Sequence, residues 1–177
     1  IWFDDDWNNM YLVGEVSDEL HRIILTAVTA APAAPSISTA STSQLNLSWS
    51  SVSGAASYKV FRSATIDGTY SLIASGITAT SYNNTGLTAG TKYYYKLRAT
   101  NSEGDSSLSP SGNRYTLPNQ VTGLAASTQS NTQINLSWNE PSGFETGYKI
   151  ERSTSSGSGF SQIANINGSL TAHNDTG

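Results

Sequence analysis

Apolar and polar residues alternate with a period of two in two paired stretches of this chain, and the second pair repeats the first. Leu45-Asn46-Leu47-Ser48-Trp49 is followed, after a Ser/Gly-rich gap, by Tyr58-Lys59-Val60-Phe61-Arg62. About 90 residues later come Leu136-Ser137-Trp138, a Gly-containing gap and Tyr148-Lys149-Ile150-Glu151-Arg152. Successive side chains on a strand point to opposite sides, so Trp49, Tyr58, Trp138 and Tyr148 are expected to face inward. A repeat of this length exceeds a solenoid unit and suits a whole small domain.

The same alternation continues between the copies. Turn residues recur every eight to twelve positions, which predicts strands at 36–40, 44–49, 57–63, 69–74, 79–83, 91–100 and 109–116. They restart at 121–127, 132–138, 147–153 and 160–165. Many short strands at such spacing imply an all-β sandwich rather than a β/α fold. Pro32 and Pro35 in an Ala-rich stretch, and Pro118 in Leu117-Pro118-Asn119-Gln120, read as linkers. The expected organisation is an N-terminal segment at 1–31, a first domain at 32–118 and a second at 119–177.

Residues 1–31 stand outside the repeat. Leu20, Ile23, Ile24, Ala27 and Val28 fit helical spacing behind a Ser17 cap, whereas the Ile/Val/Thr content and Ser17-Asp18-Glu19 fit two strands around a turn. The hairpin is the preferred reading, with the end of a preceding domain as the other.

Composition narrows the partners. Charged residues are 12% of the chain and the formal net charge is −4, which excludes a basic nucleic-acid footprint and gives no sign of polyanion binding. With no cysteine there is neither a disulfide framework nor a thiolate metal site. No apolar run approaches the ~20 residues of a membrane span, so membrane insertion is not expected. A cysteine-free strand protein rich in Ser, Thr and Asn is compatible with an extracellular or cell-surface setting.

A more specific likeness begins at Leu87-Thr88-Ala89-Gly90-Thr91-Lys92-Tyr93. There Leu, Gly-Thr-x-Tyr, an alternating strand and Asn101-Ser102-Glu103-Gly104 resemble the E–F corner and F–G loop of a fibronectin type III domain of the bacterial secreted or cell-surface kind. The resemblance implies tandem Greek-key β-sandwiches of immunoglobulin-like architecture. It also implies a Tyr93 hydroxyl bonded back to the preceding backbone. Trp49, Tyr58, Leu87, Tyr93, Trp138 and Tyr148 become the expected structural core. In the second copy Asn174-Asp175-Thr176-Gly177 aligns with Asn83/Asn84-Thr85-Gly86, and no counterpart of strands F and G follows. Residues 119–177 are therefore expected to be a partial module, completed by further chain or by strands from a neighbouring copy.

Candidate chemistry is sparse. Asp4, Asp5 and Asp6 with Asn8 and Asn9 offer hard oxygen ligands, but without the alternation and glycine of a calcium loop they read as a solvated cluster. Trp2, Phe3 and Trp7 offer rings for sugar stacking or, preferably, for packing. His21 and His173 lie far apart, no nucleophile or phosphate-loop motif occurs, and Glu103/Asp105 and Glu140/Glu145 read as solvated loop charges. No catalytic residue, cofactor or metal is expected, and the chain is read as a non-enzyme. Five Asn-x-Ser/Thr matches are expected by chance in a chain of this composition. Phe61, Tyr94, Lys96 and Arg98 should point outward together, either as a binding face or as a face that fibronectin-like modules cover with a neighbouring strand's side chains or the next module.

The expected function is an extracellular structural scaffold, a fibronectin type III spacer array, with a subunit of a surface filament that polymerises by strand exchange as one form it could take. Its partners would be other domains of the same chain or neighbouring copies, with a polysaccharide or surface protein as a further partner. The alternatives are an accessory spacer of a secreted polysaccharide-degrading enzyme and an adhesive module.

Overall fold

The computed structural model describes residues 2–3, 9–13, 20–24, 29–141, 145–168 and 170–177; up to residue 28 only the backbone strands are described. The turn at 17–19, the acidic cluster Asp4–Asp6 and Trp7 lie outside the described residues. Those residues form strands and no helix: β1 (Trp2–Phe3), β2 (Asn9–Val13), β3 (Leu20–Ile24), β4 (Ser36–Thr39), β5 (Leu45–Ser48), β6 (Ser57–Ser63), β7 (Ser71–Ile77) and β8 (Ser81–Asn84). There follow β9 (Lys92–Asn101), β10 (Gly104–Asp105), β11 (Gly112–Tyr115), β12 (Thr122–Ser130), β13 (Gln133–Asn139), β14 (Gly147–Arg152), β15 (Ser161–Asn167) and β16 (Ala172–Asp175).

Strands β1-β2-β3 form one sheet, with Met10 opposite Ile23 and Leu12 opposite His21. The first copy gives the orders β4-β5-β8 and β10-β9-β6-β7, with β11 also on β9. β5 thus pairs with β8 rather than with β6, which follows it in the chain. This crossing is the Greek-key feature of the fold. The second copy gives β12-β13-β16 and the pair β14-β15.

Contacts divide the chain into two compact units. One comprises Ile1–Pro35, Ser48–Ser81 and Tyr95–Gly112. Within it Tyr58, Val60, Tyr95, Leu97 and Ala99 are buried at alternate positions of β6 and β9, because period-two burial puts one side of each strand against the core. The Tyr58 hydroxyl accepts the Val52 N–H at 2.8 Å, which lets a buried phenol end on a satisfied polar contact. After β10 the chain runs on without regular pairing until β11, shorter than the 109–116 strand expected. Serine hydroxyls do part of that work: Ser106 Oγ accepts from Ala99 N–H at 3.0 Å and Ser109 Oγ from Leu97 N–H at 2.9 Å. Their backbone N–H groups return the bond to the Ala99 and Leu97 carbonyls.

The other unit comprises Ser36–Leu47, Tyr82–Tyr94 and Asn113–Gly177. Leu45, Leu47 and Leu87 are buried in it. Gly90 has φ +59°, a left-handed conformation that suits the corner before β9. Around that corner the Tyr93 hydroxyl accepts from Thr88 N–H at 3.1 Å. Thr116 Oγ1 donates to the Thr88 carbonyl and accepts from Thr91 N–H. Tyr93 itself is only half-buried and anchors the corner, whereas the fully buried ring of β9 belongs to Tyr95.

The repeat is also visible in strand register. On β6 and β7 Tyr58 faces Ile77 and Val60 faces Ala74; on β14 and β15 Tyr148 faces Ile166 and Ile150 faces Ala164. The cores differ. Beyond residue 118, Trp138, Pro141 and Tyr148 are the buried residues among those described. Every position of β12 is exposed, and Leu124 and Ile134 retain 69% and 43% of their accessible surface.

Candidate interaction face

Strand alternation turns Lys59 and Phe61 of β6 and Lys96 and Arg98 of β9 away from the buried side that holds Val60, Tyr95 and Leu97. Lys59 Nζ donates to Asp105 Oδ2 at 2.8 Å, and Arg98 Nη1 lies 4.0 Å from the same oxygen. Thr100 Oγ1 donates to Asp105 Oδ1 at 2.7 Å. The bonds from Lys59 and Thr100 hold the Asp105 carboxyl below the ordinary carboxylate value. Asp105, expected as a solvated loop charge, is instead the anionic hub of this side.

Cations also cover the rings. The Arg98 guanidinium stands 5.8 Å from the Phe61 ring centre and the Lys96 ammonium 4.5 Å from that of Tyr70, both within cation–π range. The structure therefore joins Arg98 to Phe61, and Lys96 to Tyr70. Tyr94 has a different partner, the Lys92 ammonium at 5.2 Å, which also lies 5.5 Å from Tyr115. Leu72, directly across from Phe61 on β7, is 51% exposed.

Sequence reasoning missed Lys59, Tyr70, Leu72 and Asp105. Lys59 was legible, since it alternates with Tyr58 and Val60 on the outward side. Tyr70 and Asp105 arrive from a turn and a loop, which periodicity does not reach. Chemically the arrangement stores charge and aromatic surface but presents no nucleophile and base in contact. Among the described residues no group of three or more His, Cys, Asp or Glu is placed to hold a metal ion.

The core residues complete the geometry. Trp49 and Tyr58 meet edge to face with ring centres 5.4 Å apart, and Trp138 and Tyr148 do so at 5.3 Å. Burial raises the Tyr148 phenol above its ordinary value, with Glu140 and Glu145 adding to the shift. Glu145 Oε1 is itself buried without a partner among the described residues, unlike the solvated charge expected there.

The family model for the fibronectin type III domain matches residues 30–114. Residues 30–114 are a fibronectin type III domain. A two-domain fibronectin type III segment from chicken tenascin covers 82% of the chain and 82% of its own length at 20% identity and a TM-score of 0.51, a likeness of fold. A Fn3-like protein from Clostridium thermocellum is 34% identical, covering 53% of this chain and 100% of its own, with a TM-score of 0.48. Among curated proteins an amylopullulanase of Thermoanaerobacterium saccharolyticum is 38% identical over 71 residues. That match spans 40% of this chain but 6% of the relative, so the fibronectin type III similarity concerns a small part of a much longer protein.

Proposed function

We propose that this segment is a non-catalytic accessory spacer of a secreted polysaccharide-degrading enzyme. The observation that carries the reading is the pairing of a fibronectin type III domain at 30–114 with similarity to a short stretch of an amylopullulanase. The comparisons favour this over a surface filament, for which they offer no support. A polymeric substrate too large to enter a cell places its enzyme outside, in keeping with a chain that lacks cysteine.

In this reading residues 32–118 form one module and 119–177 a second of the same kind, joined by the short Pro118 linker that limits their relative motion. The partners are the other domains of the same polypeptide. The residues that carry the role hold the fold: Trp49, Tyr58, Leu87, Tyr93, Trp138 and Tyr148. The face of Phe61, Lys96 and Arg98 serves as a lateral contact for a neighbouring domain, its Phe61 ring already covered by Arg98.

The test is to incubate the purified chain with pullulan and amylopectin. The reading expects no new reducing ends and no retardation in gels containing either polymer. Hydrolysis would make the segment an enzyme, and retardation would make it a carbohydrate-binding module.

A further inference from the structure

One edge strand of the second copy is gripped by an ion pair whose counterpart in the first copy is neutral. β16 lies at the edge of the order β12-β13-β16, and β8 holds the same place in β4-β5-β8. Among the described residues each is paired along one side, so its hold on the sheet also depends on its side chains. From β14, Arg152 Nη1 donates to Asp175 Oδ1 at 2.8 Å and to Oδ2 at 3.0 Å. β14 is paired with β15 in a separate sheet, so this contact ties β16 across to the other layer, as Trp138 of β13 meets Tyr148 of β14. The Asp175 side chain retains 12% of its accessible surface, and its Oδ1 also accepts from the Gly177 N–H at 3.2 Å.

Register identifies the counterparts. Arg62 pairs with Ser71 and Arg152 with Ser161, so the two arginines occupy one position of the repeat. Asp175-Thr176-Gly177 repeats Asn84-Thr85-Gly86, which places an amide in the first copy where the second has a carboxyl group. Asn84 is buried and donates through Nδ2 to the Thr85 carbonyl at 3.4 Å. An amide stays neutral at any pH, whereas a carboxylate loses its charge and part of its accepting capacity when protonated.

We propose that Arg152 and Asp175 form an acid-released latch on β16. While Asp175 is ionised, its charge-assisted bonds fix the strand against β13. On protonation those bonds weaken, β16 detaches, and the edge of β13 from Ile134 to Ser137 opens, while β8 of the first copy stays in place. Among the described residues, Arg152 is the residue of β14 that acts on the carboxyl, and His173 lies two positions back on β16. β12, β13 and β15 carry no titratable side chain. The Gly177 N–H, then the bond and charge of Arg152 and the charge of His173, hold the Asp175 carboxyl below the ordinary carboxylate value, against the opposing effect of burial. The latch is therefore closed above the unfolded value and released as pH falls through the lower, folded one. This goes beyond the spacer reading and does not depend on it.

The test measures amide hydrogen exchange in the full 177-residue chain, expressed as protection factors so that the intrinsic pH dependence of exchange cancels. At pH 7, Asp175→Asn and Arg152→Gln should each lower protection at Ala172–Asp175 about two- to fivefold, the range of a half-exposed ion pair. The double variant should lose little more, because both changes break one contact. Taking the unaltered chain from about pH 6 to about pH 2.5 should produce a similar loss at β16 beyond any at β8, and Asp175→Asn should abolish that excess. Asn84 fills the same position in the first copy, so Asp175→Asn preserves the fold; unchanged far-UV circular dichroism at pH 7 checks it. Undiminished protection in both single variants, an equal acid response of β8 and β16, or an excess that survives in Asp175→Asn would overturn the proposal. So would a loss centred above pH 5 that His173→Asn removes, which would make the imidazole the switch.

Discussion

Trp49 stands edge-on to Tyr58, with ring centres 5.4 Å apart and planes at 67°. The first strand pair of each copy places an indole against the phenol that opens the next strand, and Trp138 with Tyr148 repeats the angle at 65°. Such contacts contribute about 0.5–1.5 kcal/mol beyond the area they bury.

Removing the Tyr58 hydroxyl isolates its polar contribution. Tyr58→Phe keeps the ring against Trp49 but strands the Val52 N–H that now donates to it at 2.8 Å. The loss should be about 1 kcal/mol, read as a lowered urea midpoint with an unchanged slope.

The unequal cores predict unequal sensitivity to truncation. Leu97 is fully buried, and Leu97→Ala should cost about 2–5 kcal/mol through lost burial and a residual cavity. Leu124 is 69% exposed, and Leu124→Ala should shift stability by no more than about 0.5 kcal/mol. Thermal melts of the two variants compare them directly.

Asp105 should impose a pH dependence. Its carboxyl is held below the ordinary carboxylate value by the hydrogen bonds from Lys59 and Thr100, so the folded state binds its proton less readily than the unfolded chain. Stability from this group is complete above its unfolded value and is lost as pH falls through the lower, folded one. Urea midpoints measured downward from pH 5 should show that decline, and the decline should shrink in Lys59→Met.

Gly147 opens β14 with φ +157°, and a β-carbon there would collide with the Ile166 carbonyl across the strand pair. Gly147→Ala should therefore destabilise the β14–β15 hairpin by more than about 1 kcal/mol. Faster amide exchange at Lys149–Arg152, with β6 unaffected, would register the effect.

Much of this architecture was legible in the sequence. The Leu-x-Leu-Ser-Trp and Tyr-Lys-Val-Phe-Arg alternation marks β5 and β6 because strand burial has a period of two. The Gly90 corner before Tyr93 is a local turn requirement that single residues announce. Two features escaped for the same physical reason. Ser106 and Ser109 stand in for a strand by bonding to Ala99 and Leu97, and Asp105 collects Lys59 and Arg98, through contacts between residues 7 to 46 positions apart. Such contacts follow from the packing of strands and leave no periodic trace. β16 was not foreseen either, since Ala172-His173-Asn174-Asp175 has no apolar alternation and is recruited by pairing with β13.

The most direct measurement is to sequence the reading frame that encodes this segment, on both sides, and to assay the secreted product on pullulan and amylopectin. The account predicts a glycoside hydrolase domain in the same polypeptide and activity that resides in that domain. A frame holding only sandwich modules, with a product that forms filaments and releases no sugar, would contradict it.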